Sequence, residues 1–208
     1  YNAGDYYGAL SDYNKAIEIN PNYAEAYNNR GSVKELLKDG LGALSDYFTA
    51  LEINPNYLHA IYNVANYKRD VLADYDGALS DYNKAIEINP NYARAYYHRG
   101  WTKGNRRKGL KDYHGALSDY NKAIEINPNY ANAYGSRGFI KMKLKDHLGA
   151  LSDYNKTLEM IPNSKSVYFN RGFAKQSLGD MKGACSDWRK AWRLDHDGAY
   201  YLMTKNKC

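Results

Sequence analysis

The sixteen residues GALSDYNKAIEINPNY at positions 8–23 return letter for letter at 77–92 and 115–130, and looser copies fill 42–57, 149–164 and 183–198. The copies open at Gly8, Gly42, Gly77, Gly115, Gly149 and Gly183, at intervals of 34, 35, 38, 34 and 34 residues. A unit of this length is one supersecondary element that cannot bury its own apolar face. A chain of such units hides those faces only by stacking neighbour on neighbour.

Within the first copy, Ala9, Leu10, Tyr13, Ala16, Ile17 and Ile19 recur at helical spacing and predict one broad stripe that must be buried. The helix stops at Asn20-Pro21-Asn22, because the residue before a proline is pushed out of the helical region. The stretch between copies, best seen as AEAYNNRGSVKELLKD from Ala24 to Asp39, reads as another helix with Ala26, Tyr27, Val33 and Leu37 on its apolar side. The unit is therefore a helical hairpin, and the chain is expected to be all-α.

On these residues the chain resembles the tetratricopeptide repeat (TPR) family over essentially its whole length. That family places a bulky residue at the fourth position of its unit, small ones at the eighth, twentieth and twenty-seventh, an aromatic at the twenty-fourth and proline at the thirty-second. Counted from Ala24, this sequence supplies Tyr27, Gly31, Ala43, Tyr47, Ala50 and Pro55. Counted from Ala131, it supplies Tyr134, Gly138, Ala150, Tyr154 and Pro162, with Thr157 in place of the small residue. The resemblance implies a right-handed superhelical solenoid of antiparallel helix hairpins. Its units would be a partial repeat at 1–23, mainly a second helix, then repeats at 24–57, 58–92, 93–130, 131–164 and 165–198. The repeat at 93–130 carries extra residues near Asn105 to Gly109, and 199–208 would begin a capping helix.

Two charged series depart from the family pattern. The seventh position holds Arg30, Arg99, Arg137 and Arg171, with Val64 the exception, and the eleventh holds Lys34, Lys68, Lys103, Lys141 and Lys175. Every copy of the repeated stretch carries an aspartate: Asp12, Asp46, Asp81, Asp119, Asp153 and Asp187. The Arg and Asp series are expected to pair between helices, since partly buried charges persist when matched.

Several functions have no support. Nothing matches a nucleophile elbow, a phosphate-binding glycine loop or a metal-ligand pair, so no catalytic residue, metal or cofactor is expected. No apolar run approaches the roughly 18 residues of a membrane span. The chain opens in mid-repeat at Tyr1, which reads as a trimmed first unit and suggests edge-to-edge self-association of the fragment. The compartment is open, with the cytoplasm the default. Cys185 and Cys208 fall on surfaces that face each other in stacked hairpins; separate thiols are the expected state, a bond requiring Cα atoms about 5.5 Å apart.

The resemblance implies a non-catalytic scaffold that holds a partner peptide in a concave groove lined by first helices. Transferred residue by residue, the groove would include Asn29, Tyr62, Asn63, Asn66, Arg94, Tyr97, His98, Trp101, Phe139, Phe169 and Asn170. Asn29, Asn63 and Asn170 are similar to an asparagine ladder that grips a peptide main chain, here broken by His98 and Ser136. The carboxylate clamp of chaperone-binding relatives is not expected: in its best window only Asn63 and Arg94 fit. Residues 93–111 hold seven basic groups and no acid, while the rest of the chain balances to −1. Arg106 and Arg107 beside Trp101 and Tyr97 could receive an acidic peptide. The alternative is a nucleic-acid-binding helical array using 94–111 and the groove aromatics, disfavoured because most of the helices are not basic.

Overall fold

Each repeated stretch is preceded by a carboxylate. Asp5, Asp39, Asp74, Asp112, Asp146 and Asp180 each stand three residues before a glycine whose N–H donates to the aspartate oxygen at 2.7 to 2.9 Å. The side chain thus satisfies a backbone donor that the first turn of a helix leaves free. In the computed structural model, which describes residues 5–105 and 111–208, every regular element among the described residues is an α-helix. The helices are α1 (Tyr6–Ile19), α2 (Ala24–Leu36), α3 (Gly40–Ile53), α4 (Leu58–Asp70), α5 (Tyr75–Ile88), α6 (Ala93–Asn105), α7 (Tyr113–Ile126), α8 (Ala131–Lys143), α9 (His147–Met160), α10 (Lys165–Ser177), α11 (Met181–Arg193) and α12 (Asp197–Lys205).

Two readings of the sequence change. The helix expected to run from Ala24 to Asp39 ends at Leu36, because Lys38 turns to φ 68° and Asp39 is taken as the cap of α3. Ile19, expected in the buried stripe, is 85% exposed at the last residue of α1, more than half a turn from Ile17. The extra residues expected near Asn105 to Gly109 lie, beyond Asn105 itself, outside the described residues.

The chain forms two compact units, Tyr1–Thr102 and Lys103–Cys208. In the first, Ala43, Tyr47 and Val64 make one buried cluster and Ile61, Ala65, Ala78, Tyr82, Ala85 and Ala95 another. In the second, Ala150, Tyr154, Leu158, Val167 and Ala174 pack together. Close helix approach explains the small residues: a Cβ on Gly31 would meet the Tyr47 ring at 2.7 Å, and one on Gly138 would meet the Tyr154 ring at 2.8 Å.

The two charged series form a repeated three-helix clamp. Arg30 on α2 donates twice to Asp46 on α3, at 2.8 and 2.7 Å, and once to Asn14 on α1, at 2.8 Å. Arg137 does the same to Asp153 and Asn121, and Arg171 to Asp187 and Asn155. Lys34, Lys141 and Lys175 each add a second cation to the same aspartate. Bidentate guanidinium contacts are the geometry that a desolvated carboxylate needs, and these aspartates are about 3% exposed. Where Val64 replaces arginine, the preceding helix carries Phe48 instead of asparagine, so this bridge is missing between α3 and α4. Val64 joins the apolar cluster of Ala43 and Tyr47, and Lys68 pairs with Asp81 at 2.7 Å.

The cysteines correct the expectation of separate thiols. Cys185 on α11 and Cys208 are bonded, with Cα atoms 5.3 Å apart. Helix α12 lies against α11, and the turn after it, closed by Cys208 N–H donating to the Met203 carbonyl, carries Cys208 back over Cys185.

Candidate functional site

In the first unit the expected groove residues gather on α2, α4 and α6. Asn63 donates to Asn28 at 2.9 Å, and Asn28 in turn donates to Asn29 at 3.2 Å. Two of the expected ladder amides are thus joined through a third, Asn28, which is buried at 4% exposure. Tyr62 on α4 lies 5.5 Å from His98 on α6, centroid to centroid, and His98 is in edge contact with Tyr97 at 4.8 Å.

The hub of this cluster is Arg69, which the structure buries. Its guanidinium donates to both oxygens of Asp70, to the Tyr82 hydroxyl at 2.7 Å and to His98 Nδ1 at 2.6 Å, and it lies 5.1 Å from the Trp101 ring. Tyr82 donates to Asn66 at 2.6 Å, so Asn66 is committed inside the unit. Burial, with Arg69 beside it, pulls His98 down to about 4, which keeps the ring neutral and able to accept from the guanidinium. Tyr92 is pushed up to about 12, mainly by burial. Arg94 is exposed and hydrogen-bonds Tyr92.

The basic segment is less available than its composition suggests. Arg99 donates to Asn83 at 2.6 Å and Lys103 pairs with Asp119 at 2.8 Å, so two of its seven charges hold the fold together. Arg106 and Arg107 lie outside the described residues.

In the second unit, Phe139 on α8 and Asn170 on α10, two expected groove residues, line one open cleft of about 340 Å³ together with Met142, Lys143, Tyr154, Phe173 and Ser177. Phe169 is in edge contact with Phe173 and stacked on His196 at 4.0 Å, and is not among the residues lining the cleft. Lys143 covers the Phe139 ring at 5.0 Å.

Sequence reasoning passed over Tyr154 as a packing residue, yet its environment differs from that of its counterparts. Tyr47 donates to Glu35 at 3.0 Å and lies 3.3 Å from the Ser32 hydroxyl, while Tyr82 has Asn66 and Arg69. At the positions that supply those partners, the helix preceding Tyr154 offers Phe139 and Met142. The Tyr154 side chain is 1% exposed and its hydroxyl finds no hydrogen-bond partner among the described residues. Burial, and secondarily Asp153, raises its pKa and keeps it protonated. The signal was in the sequence, as a change from polar to apolar at two fixed places in the repeat.

Among the described residues no three His, Cys, Asp or Glu side chains gather as metal ligands, and no helix is long and apolar enough to cross a membrane.

Comparison with known proteins follows the same lines. A family model described as TPR repeat matches residues 1–37, 74–103 and 104–145, together just over half of the chain. Curated protein sequences gave no match. Among solved structures, PilF of Pseudomonas aeruginosa is similar with a TM-score of 0.86 at 17% identity, over 99% of this chain and 91% of that one. PilW, described as a widely conserved type IV pilus biogenesis factor, is similar with a TM-score of 0.82 at 16% identity, over 96% of this chain and 91% of that one. YrrB, described as a TPR protein with an unusual peptide-binding site, reaches a TM-score of 0.71 at 24% identity, over 92% of this chain and 97% of its own. At these identities the likeness is one of fold.

Proposed function

We propose, from the premise that this chain belongs to the tetratricopeptide repeat family, that it is a non-catalytic protein–protein interaction scaffold whose first-helix faces hold an extended segment of a partner. The observation that carries this reading is the meeting of rings and amides from successive first helices: Tyr62 against His98, and Asn63 bonded to Asn28. Aromatic rings supply contact area at small entropic cost, and side-chain amides match the donors and acceptors of a peptide main chain. Arg69 supports this cluster, because its bonds to the buried Tyr82 hydroxyl and to His98 Nδ1 hold the His98 ring in place.

The test is selection of peptides from a random displayed library on the intact chain, followed by titration of the selected sequences against Tyr62→Ala and His98→Ala variants with unchanged circular dichroism. Affinity that falls about tenfold or more in either variant is the expected result for a central aromatic anchor. Peptides that bind both variants as tightly as the original would remove this face from the proposal. Affinity for single-stranded RNA falling steeply with salt would instead favour a nucleic-acid array.

A further inference from the structure

The cleft between α8, α9 and α10 is built differently from the face of the first unit, and the difference names a ligand. It is lined by Phe139, Met142, Tyr154 and Phe173 together with Asn170, Ser177 and Lys143, of which Ser177 and Lys143 are exposed. The Tyr154 hydroxyl is buried with no partner, although Tyr47 and Tyr82 each have two. A buried hydroxyl left without a partner is costly, and native structures supply one from the protein, from water or from a ligand. About 340 Å³ is at the small end of ligand pockets, suited to one large side chain and not to a folded surface.

The charge of the unit limits what can enter. Counting Lys and Arg against Asp and Glu, residues 1–102 carry −4 and residues 103–208 carry +10. A cationic anchor is repelled, and Lys143 in the lining adds to that repulsion. A carboxylate-tipped anchor would lose its hydration against aromatic walls without a buried cation to replace it. A phenol satisfies each condition. Its ring packs on Phe139 and Phe173, and its O–H can donate to or accept from Tyr154, whichever way that hydroxyl points.

We infer that the cleft of Phe139, Met142, Tyr154 and Phe173 receives a tyrosine side chain from an acidic segment of the partner, the two phenolic hydroxyls bonding to each other. The inference rests on the peptide-holding reading above and assigns one anchor within it. Asn170 also lines the cleft, and its amide can meet the main chain beside that anchor.

The experiment uses the intact chain and three short glutamate-rich peptides that differ at one central residue: tyrosine, phenylalanine or alanine. Binding is followed by fluorescence polarisation for the original protein and for Tyr154→Phe, Phe173→Ala and, as a control in the first unit, Tyr62→Ala. The tyrosine peptide should bind roughly fivefold or more tighter than the phenylalanine peptide. That preference should vanish in Tyr154→Phe, while Phe173→Ala should weaken both peptides. Equal affinity of the tyrosine and phenylalanine peptides for the original protein overturns the hydroxyl pairing. If Phe173→Ala changes nothing while library-selected peptides still bind and are lost in Tyr62→Ala, the cleft is not an anchor site and the scaffold reading survives. If no peptide of either kind binds, both readings fall.

Discussion

The two units are built from the same repeated letters and share the same Arg–Asp clamps, yet they differ in the polar groups around their core tyrosines. In the first, the core tyrosine hydroxyls are consumed by Ser32, Glu35, Asn66 and Arg69, and a guanidinium is drawn inward to tie Tyr82, His98 and Trp101 together. In the second, the corresponding places around Tyr154 are apolar, the hydroxyl is idle and a cleft opens. The same contrast holds for charge, −4 against +10 over residues 1–102 and 103–208. Repetition of a scaffold leaves a few positions per unit free to vary, and those positions decide whether a face is closed by its own hydrogen bonds or left to be closed by something else.

Experiments that break one unit and spare the other sharpen this comparison. The largest effect is expected at the end of the second unit: Cys208→Ser opens a loop with a sequence separation of 23. It should cost about 3 kcal/mol, read as a lower urea midpoint and as faster amide exchange in α12. Since disulfides persist in oxidising compartments, a reducing buffer should reproduce the change in the original protein.

Acid should act on the first unit through His98. Its folded-state pKa, about 4, lies below the ordinary 6.5, so the unfolded chain takes up the proton first and stability is lost as pH falls from about 6.5 toward about 4. The loss is at most about 3 kcal/mol and should shrink in His98→Gln, which removes the imidazole that takes up the proton. Serine occupies the matching position in the second unit, at Ser136. Amide exchange at mildly acid pH should therefore rise in α4 and α6 before it rises in α8.

Breaking a clamp is the next effect in size. Arg171→Ala leaves Asp187 with Lys175 alone and should cost about 2 kcal/mol in thermal or urea unfolding. The smallest pair of effects tests the contrast most directly. Tyr82→Phe takes an acceptor from buried Arg69 and should cost about 2 kcal/mol, whereas Tyr154→Phe removes a buried hydroxyl that bonds to nothing and should stabilise the chain by about 1 kcal/mol. Equal costs for the two would erase the distinction between the units.

Much of this was readable from the letters. The period fixed the hairpins, the Arg and Asp series predicted their own pairing, and Phe139 with Asn170 were placed on one face by position alone. What escaped was anything that depends on which of two neighbours a side chain chooses. The sequence does not single out Arg69, and only packing shows it turned inward toward Tyr82 and His98. Asp39 reads as the tail of one helix, although the recurring Asp-x-x-Gly spacing marks it as the start of the next. The bond between Cys185 and Cys208 depends on how the turn after α12 closes, which no periodicity describes.

The replacement of an Arg–Asn bridge by Val64 and Phe48 also bears on how the chain would yield to force. At the neighbouring junctions, α1 with α2, α5 with α6, α7 with α8 and α9 with α10, a guanidinium laces adjacent hairpins across their seam. Between α3 and α4 the contact is apolar, and these two hairpins are linked by the neutral amide bond from Asn63 to Asn28 on α2 rather than by a guanidinium. Drawn out by the ends of the first unit, the hairpins should part at this seam before the laced junction of α1 with α2 gives way.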